Sequence, residues 1–272
     1  MSSAIALVLT AVVGVAAAWT ITVPLHRYKE RRPKTPRDVA AEVGSAEEPP
    51  PEIRASYREA RCAHCHRVCT WRDVVPVVSW FRGCAGCGTR LPATVPLVQV
   101  GLPVAMVLTA SRIDDPWVAL PYLFLAVVLT AIAVIDLRIW LIPYWMPYAG
   151  TAIGLALIAG ISIGHGVPVG ILHAVGGGLA AFLFFFVLWI AAPGKLGYGD
   201  VRLALLLGTF LAWMHPILPI YGLLFGAVLG LVMGAAALLA RRDSRFPFGP
   251  ALALGAMGAV WFHEPILRGL TG

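Results

Sequence analysis

The chain alternates long apolar runs with short polar breaks, and a single extended polar stretch interrupts the alternation. Ala4 to Val23 carries no charge over about twenty residues, enough to cross a bilayer as a helix. From His26 to about Thr94 the chain is polar. Seven further apolar segments follow, roughly 96–111, 117–136, 143–163, 167–192, 201–214, 217–240 and 248–263. The pattern predicts an all-α polytopic membrane protein with about eight transmembrane helices and one small polar insert. Segment 201–214 is short, so it is expected to be thin-spanning or to begin earlier, in the loop before it. Three regions result: a transmembrane anchor over 1–25, a linker and Cys module over 26–94, and a seven-helix membrane domain over 95–272. Met1-Ser2-Ser3 has no basic residue, whereas Arg27, Lys29, Arg31, Arg32, Lys34 and Arg37 follow the first segment. That order predicts an uncleaved anchor rather than a signal peptide.

Composition agrees with the pattern. Hydrophobic residues make up 59% of the chain and charged ones 13%, against about a quarter charged in a soluble domain. The net charge of +7 would suggest nucleic acid if it were spread over one face. Instead, thirteen of the twenty-one Lys and Arg lie between Arg27 and Arg90. With the Cys module placed inside, Arg138, Lys195, Arg202, Arg241, Arg242 and Arg245 join them, leaving only Arg112 and Arg268 outside. A bias of nineteen to two predicts a multi-pass inner-membrane protein with its N-terminus outside and the Cys module in the cytoplasm. Membrane lipids are then the partner of the basic run, and nucleic acid is not.

All five cysteines fall between Cys62 and Cys87. Cys62-Ala-His-Cys65 and Cys84-Ala-Gly-Cys87 form C-x2-C-x18-C-x2-C, the spacing of a four-cysteine zinc site. Two tight turns would each present two thiolates to one tetrahedral Zn2+, and the metal would supply folding energy that so small a module lacks. A structural role for the metal is expected. Cys69, His64 and His66 are not expected as ligands. Trp80, Phe81 and the valines between the pairs either form a small core or dock the module on the membrane.

Two aspartates interrupt apolar runs: Asp136 in Val134-Ile135-Asp136-Leu137-Arg138, and Asp200 in Gly197-Tyr198-Gly199-Asp200. An ionisable group at membrane depth costs several kcal/mol, so its default reading is functional. The cation count puts both at the inner face, although it used no acidic residue. Paired carboxylates suit hydrolysis of a peptide bond, with one ionised to take a proton from water and one protonated to polarise the carbonyl. Mutual repulsion lets such a pair share one proton. Gly197 and Gly199 are candidate substrate-binding residues, as glycine permits positive φ and close approach of an extended backbone. Arg138, Lys195 and Arg202 are expected to point toward the headgroups. The alternative is a transporter or zinc-dependent scaffold with a paired-aspartate site, though no third intramembrane acid marks a pathway.

These motifs together resemble the type IV prepilin peptidases, aspartyl proteases of the GxGD type. The resemblance rests on Cys62-Ala-His-Cys65, Trp71-Arg-Asp73-Val-Val-Pro76-Val-Val-Ser79-Trp80, Gly83-Cys84-Ala-Gly-Cys87, Asp136 followed by Ile142-Pro143, Gly197-Tyr-Gly-Asp200-Val201-Arg202-Leu203, and Phe248-Gly249-Pro250. It implies that Asp136 and Asp200 are the catalytic pair. It also implies cytoplasmic removal of short basic leaders from prepilins or pseudopilins. Bifunctional members also N-methylate the new N-terminus from S-adenosylmethionine. Here an asparagine near the end of the first helix is missing and Gln99 stands where those members carry glutamate.

Overall fold

The computed structural model describes residues 2–25, 65, 67, 73, 75–76, 78–90, 93–193, 196–239 and 247–271. Every regular element among them is a helix. In chain order these are α1 (Ser2–Leu25), α2 (Val78–Arg82), α3 (Thr94–Arg112), α4 (Pro116–Ile139), α5 (Trp145–Gly164), α6 (Val169–Ala191), α7 (Tyr198–Met214), α8 (Leu218–Leu239), α9 (Gly249–Trp261) and α10 (His263–Thr271).

Each of the eight apolar segments becomes one long helix, with ends within a few residues of the expected ones. Six of them (α1, α3, α4, α5, α6 and α8) are long and apolar enough to cross a membrane. The other two are shorter. Helix α7 has 17 residues, and it begins at Tyr198, inside the Gly-rich loop, as its short apolar run foreshadowed. Helix α9 has 13 residues, about 20 Å at 1.5 Å per residue, less than the roughly 30 Å of a hydrocarbon core. These two are the helices most enclosed by others. In α7, residues 203–204 and 206–212 are all buried, and in α9 so are 249–253 and 259–260. A helix hidden from lipid need not match the bilayer's thickness. The amphipathic α10 was not foreseen.

Small residues let the bundle close. Gly177 and Gly178 of α6 lie so near Ala212, Gly208 and Thr209 of α7 that a Cβ on either would collide, which is the close helix approach expected of this Gly run. Gly176 faces open space and takes no part. Tyr122 of α4 is fully buried, and its hydroxyl donates to the Phe210 carbonyl of α7 at 3.1 Å, while its ring stacks on Trp213. At the N-terminus of α4, Asp115 caps the helix by accepting from the Trp117 N–H, and it pairs with His165 at 3.1 Å. Asp115 thereby ties α4 to the end of α5.

Candidate active site

Asp136 lies in the last turn of α4, and Asp200 is the third residue of α7. Both are buried, with 5% and 8% of their surface exposed. They are close enough for the charge of Asp136 to act on Asp200. Sixty-four positions of chain therefore fold to set two carboxylates in one water-poor neighbourhood.

Among the described residues no ion pair joins a cation to either carboxylate, and backbone meets both. Asp136 Oδ2 accepts from the Gly249 N–H at 2.9 Å, so this side chain closes on the first turn of α9, where amides have no partner within the helix. The Gly197 backbone lies beside Asp200, whose Oδ2 is 3.3 Å from a Cβ built on that glycine. An acid at the third helical position reaching back to the N-cap is half of a capping box. Three helix ends thus converge: the last turn of α4 and the first turns of α7 and α9.

The connection after Asp136 completes the site. Trp140 caps α4 in the left-handed region, φ 56°, and its N–H donates to the Asp136 carbonyl. A non-glycine residue there is uncommon, and the turn reverses the chain directly after the aspartate. Ile142 is thereby delivered between two glycines. A Cβ on Gly199 would lie 3.1 Å from the Ile142 Cβ, and one on Gly249 would lie 3.4 Å from its Cδ1. The same atom on Gly249 would sit 2.7 Å from Asp136 Oδ2. Phe248-Gly249-Pro250 was noticed in the sequence only as a motif, and its contact with Asp136 needed the fold.

The glycines differ from expectation in one respect. Gly197 has φ −76° and ψ 140°, ordinary extended backbone at an N-cap, and Gly199 is helical. Among the described residues positive φ occurs at Gly83, Gly88, Gly166 and Trp140. A side chain at 197 or 199 would be crowded, by Asp200 Oδ2 (3.3 Å from a Cβ on Gly197) and by Ile142.

The cations also depart from expectation. Arg138 is buried, with 6% exposed, rather than extended toward headgroups. Arg202 lies over the Tyr198 ring at 4.5 Å from its centroid and 5.8 Å from that of Tyr148, a cation–π arrangement that holds it on aromatic faces. Lys195 lies outside the described residues.

Three of the four expected metal ligands are described. The Sγ atoms of Cys65, Cys84 and Cys87 all lie within 4.8 Å of one another, with Cys65 and Cys84 3.7 Å apart. Sulfurs at about 2.3 Å from a tetrahedral zinc are about 3.8 Å apart, so the donor set fits a metal of that kind. The second knuckle is closed by local bonds. Gly86 N–H donates to Cys84 Sγ, Gly88 N–H to the Cys84 carbonyl, and Cys84 N–H to the Thr89 carbonyl. Gly83 and Gly88, at φ 66° and 69°, make that tight return possible. Cys62, the fourth expected ligand, lies outside the described residues, as do Cys69, His64 and His66.

The module is fastened to the bundle by a bond that the sequence did not announce. Trp80 of α2 donates its indole N–H to the Gln99 side-chain oxygen in α3. Gln99 is 4% exposed, and a buried amide needs such a partner. Helix α3 and helix α4 are antiparallel neighbours joined across 113–115, so the start of α3 and the end of α4 share one end of the bundle. The thiol cluster and the carboxylate pair consequently lie toward the same end.

Comparison with known proteins agrees with this architecture. Residues 11–113 match the profile described as the bacterial peptidase A24 N-terminal domain, and residues 123–235 that of the type IV leader peptidase family. The chain is 31% identical over 241 residues to the prepilin leader peptidase/N-methyltransferase of Aeromonas salmonicida, covering 82% of this chain and 79% of that one. It is 34% identical over 218 residues to the enzyme of that name from Pseudomonas putida, covering 75% and 73%. It is 29% identical over 222 residues to a type 4 prepilin-like proteins leader peptide-processing enzyme of Escherichia coli O78:H11, covering 78% of each. No solved structure matches. With two profiles in chain order and relatives alike over most of their length, this chain belongs to the type IV leader peptidase family.

Proposed function

We propose that the protein is an aspartyl endopeptidase that removes the short basic leader of type IV prepilins or prepilin-like proteins at the cytoplasmic membrane face. Asp136 and Asp200 are its catalytic residues in this reading. The observation that carries it is the meeting of two buried carboxylates at one end of the bundle, each held by backbone amides and neither paired with a cation in a described ion pair.

The chemistry follows from that arrangement. With one proton between the two groups, the ionised carboxylate draws a proton from water as the oxygen attacks the scissile carbonyl. The protonated one donates to the carbonyl oxygen. The first, now carrying water's proton, then gives it to the leaving amine as the second takes a proton back from the collapsing diol, which restores the one shared proton. Burial keeps bulk water from competing, and the amides at Gly249 and Gly197 hold the carboxylates in orientation without neutralising them. Gly197, exposed at the N-cap of α7, and Gly199 beside it are the substrate-binding residues in this reading.

Cys65, Cys84 and Cys87, with Cys62, would hold a structural Zn2+, which when bound ties the insert's two knuckles together. The N-terminus lies outside and the insert inside in this reading, on the cation bias of the sequence. Methylation of the new N-terminus would require S-adenosylmethionine. Gln99 is engaged with Trp80 here, and the site supports leader cleavage as the primary reaction.

The test is cleavage of a prepilin-type substrate in membranes carrying wild-type, Asp136→Asn or Asp200→Asn protein at equal abundance. Loss of cleavage in both variants is the expected result. Wild-type cleavage by either one removes the dyad.

A further inference from the structure

We infer that the short helix α2 plants the Cys module in a lipid surface, with Val78 and Phe81 entering the headgroup boundary and Arg82 and Arg90 meeting anionic headgroups. Val78 and Phe81 are three apart on α2 and so share a face, with Arg82 beside them. Both side chains are open, Phe81 being 85% exposed and Val78 44%. An aromatic side chain so bare on a small module is a contact waiting for an apolar phase.

Three observations identify that phase as lipid. The first is depth. Gln99 lies five residues into α3, about 8 Å along the axis from its start, and α3 is long enough to cross a bilayer. Because Trp80 is bonded to Gln99, its neighbour Phe81 is held beside the first turns of α3, near one end of that candidate span. Aromatic rings concentrate at that level.

The second is charge. Among the described residues of the module the acid is Asp73, and it is paired with Arg67 at 3.9 Å. Arg82 and Arg90 are exposed, which complements an anionic leaflet. The third is the rest of the module. Ser79 is buried and Trp80 is turned to the bundle, so α2 has one face on protein and the other free. A membrane-surface helix has that division.

The test uses the full chain in lipid nanodiscs, with the photoreactive residue benzoylphenylalanine at position 81 and, as control, at position 85 on the exposed metal knuckle. The discs contain phosphatidylcholine with or without phosphatidylglycerol. Irradiation of discs with phosphatidylglycerol is expected to give lipid adducts at 81 well in excess of those at 85. The excess is expected to fall several-fold without phosphatidylglycerol, and Arg82→Gln is expected to weaken that dependence. Placement at 78, on the same face, repeats the measurement should substitution at 81 disturb folding. Equal lipid labelling at 81 and 85 overturns the proposal. So does labelling of a second copy of the chain in place of lipid.

Discussion

The thiol cluster and the carboxylate pair are both small constellations of ionisable groups near one end of the bundle, yet they are built in opposite ways. Cys84 and Cys87 are placed by a turn of a few residues, with Gly83 and Gly88 at positive φ and an amide bonded to sulfur. Asp136 and Asp200 have no such local scaffold. Their relation depends on α4, α7 and α9 packing so closely that Ile142 fits between Gly199 and Gly249. A local device tolerates change elsewhere in the chain, whereas a convergent one depends on every helix that meets there.

The contrast can be broken most severely at the carboxylates. Asp136→Asn and Asp200→Asn should each reduce leader cleavage by about 10²–10⁴-fold, the worth of a positioned acid or base. Because the two act as a unit, the double variant should be scarcely worse than either single one. Cleavage rates on purified protein at matched abundance decide this, and multiplying losses would show two independent groups.

Cys84→Ser should weaken metal binding by more than the roughly 10–100-fold that loss of an outer-shell partner costs. Metal analysis after exchange against a chelator reads this directly. If the clusters are as separate as their construction implies, the bundle's own melting transition should barely move. A collapse of the whole protein would make the metal part of the global fold.

A subtler break lies at Gly249. A Cβ there would fall 2.7 Å from Asp136 Oδ2, so Gly249→Ala should displace the carboxylate and cost about 10–100-fold in turnover, in line with the penalty for a misplacement of about 1 Å. Gly258→Ala in the same helix meets nothing within 4 Å and serves as the control. Similar rates for the two variants would remove Gly249 from the site.

Smallest of all should be Trp80→Phe, which keeps the ring but removes the donor to Gln99. An unsatisfied buried amide costs about 1–3 kcal/mol, so the module should loosen from α3 while the dyad keeps its activity. Proteolysis of the insert and cleavage assays on the same preparation separate the two effects.

Much of the architecture is legible in the sequence because a bilayer imposes a simple code. Apolar runs of about twenty residues become helices whatever their neighbours, since every backbone group must be satisfied within the segment. The code does not reach Arg138, whose burial follows from the packing around the end of α4 and not from its place beside an apolar run.

The sequence by itself determined the helices, the metal-ligand spacing of the Cys motif and the two intramembrane acids, because each is written within a short window by hydropathy, turn chemistry or the cost of a charge in lipid. Only the tertiary structure decided that the first turn of α9 holds Asp136, that Ile142 rather than backbone freedom explains Gly199, and that Gln99 carries the Cys module. Those contacts join residues 19 to 113 positions apart. Interactions over such separations are fixed by which helices pack together, and no local pattern records that.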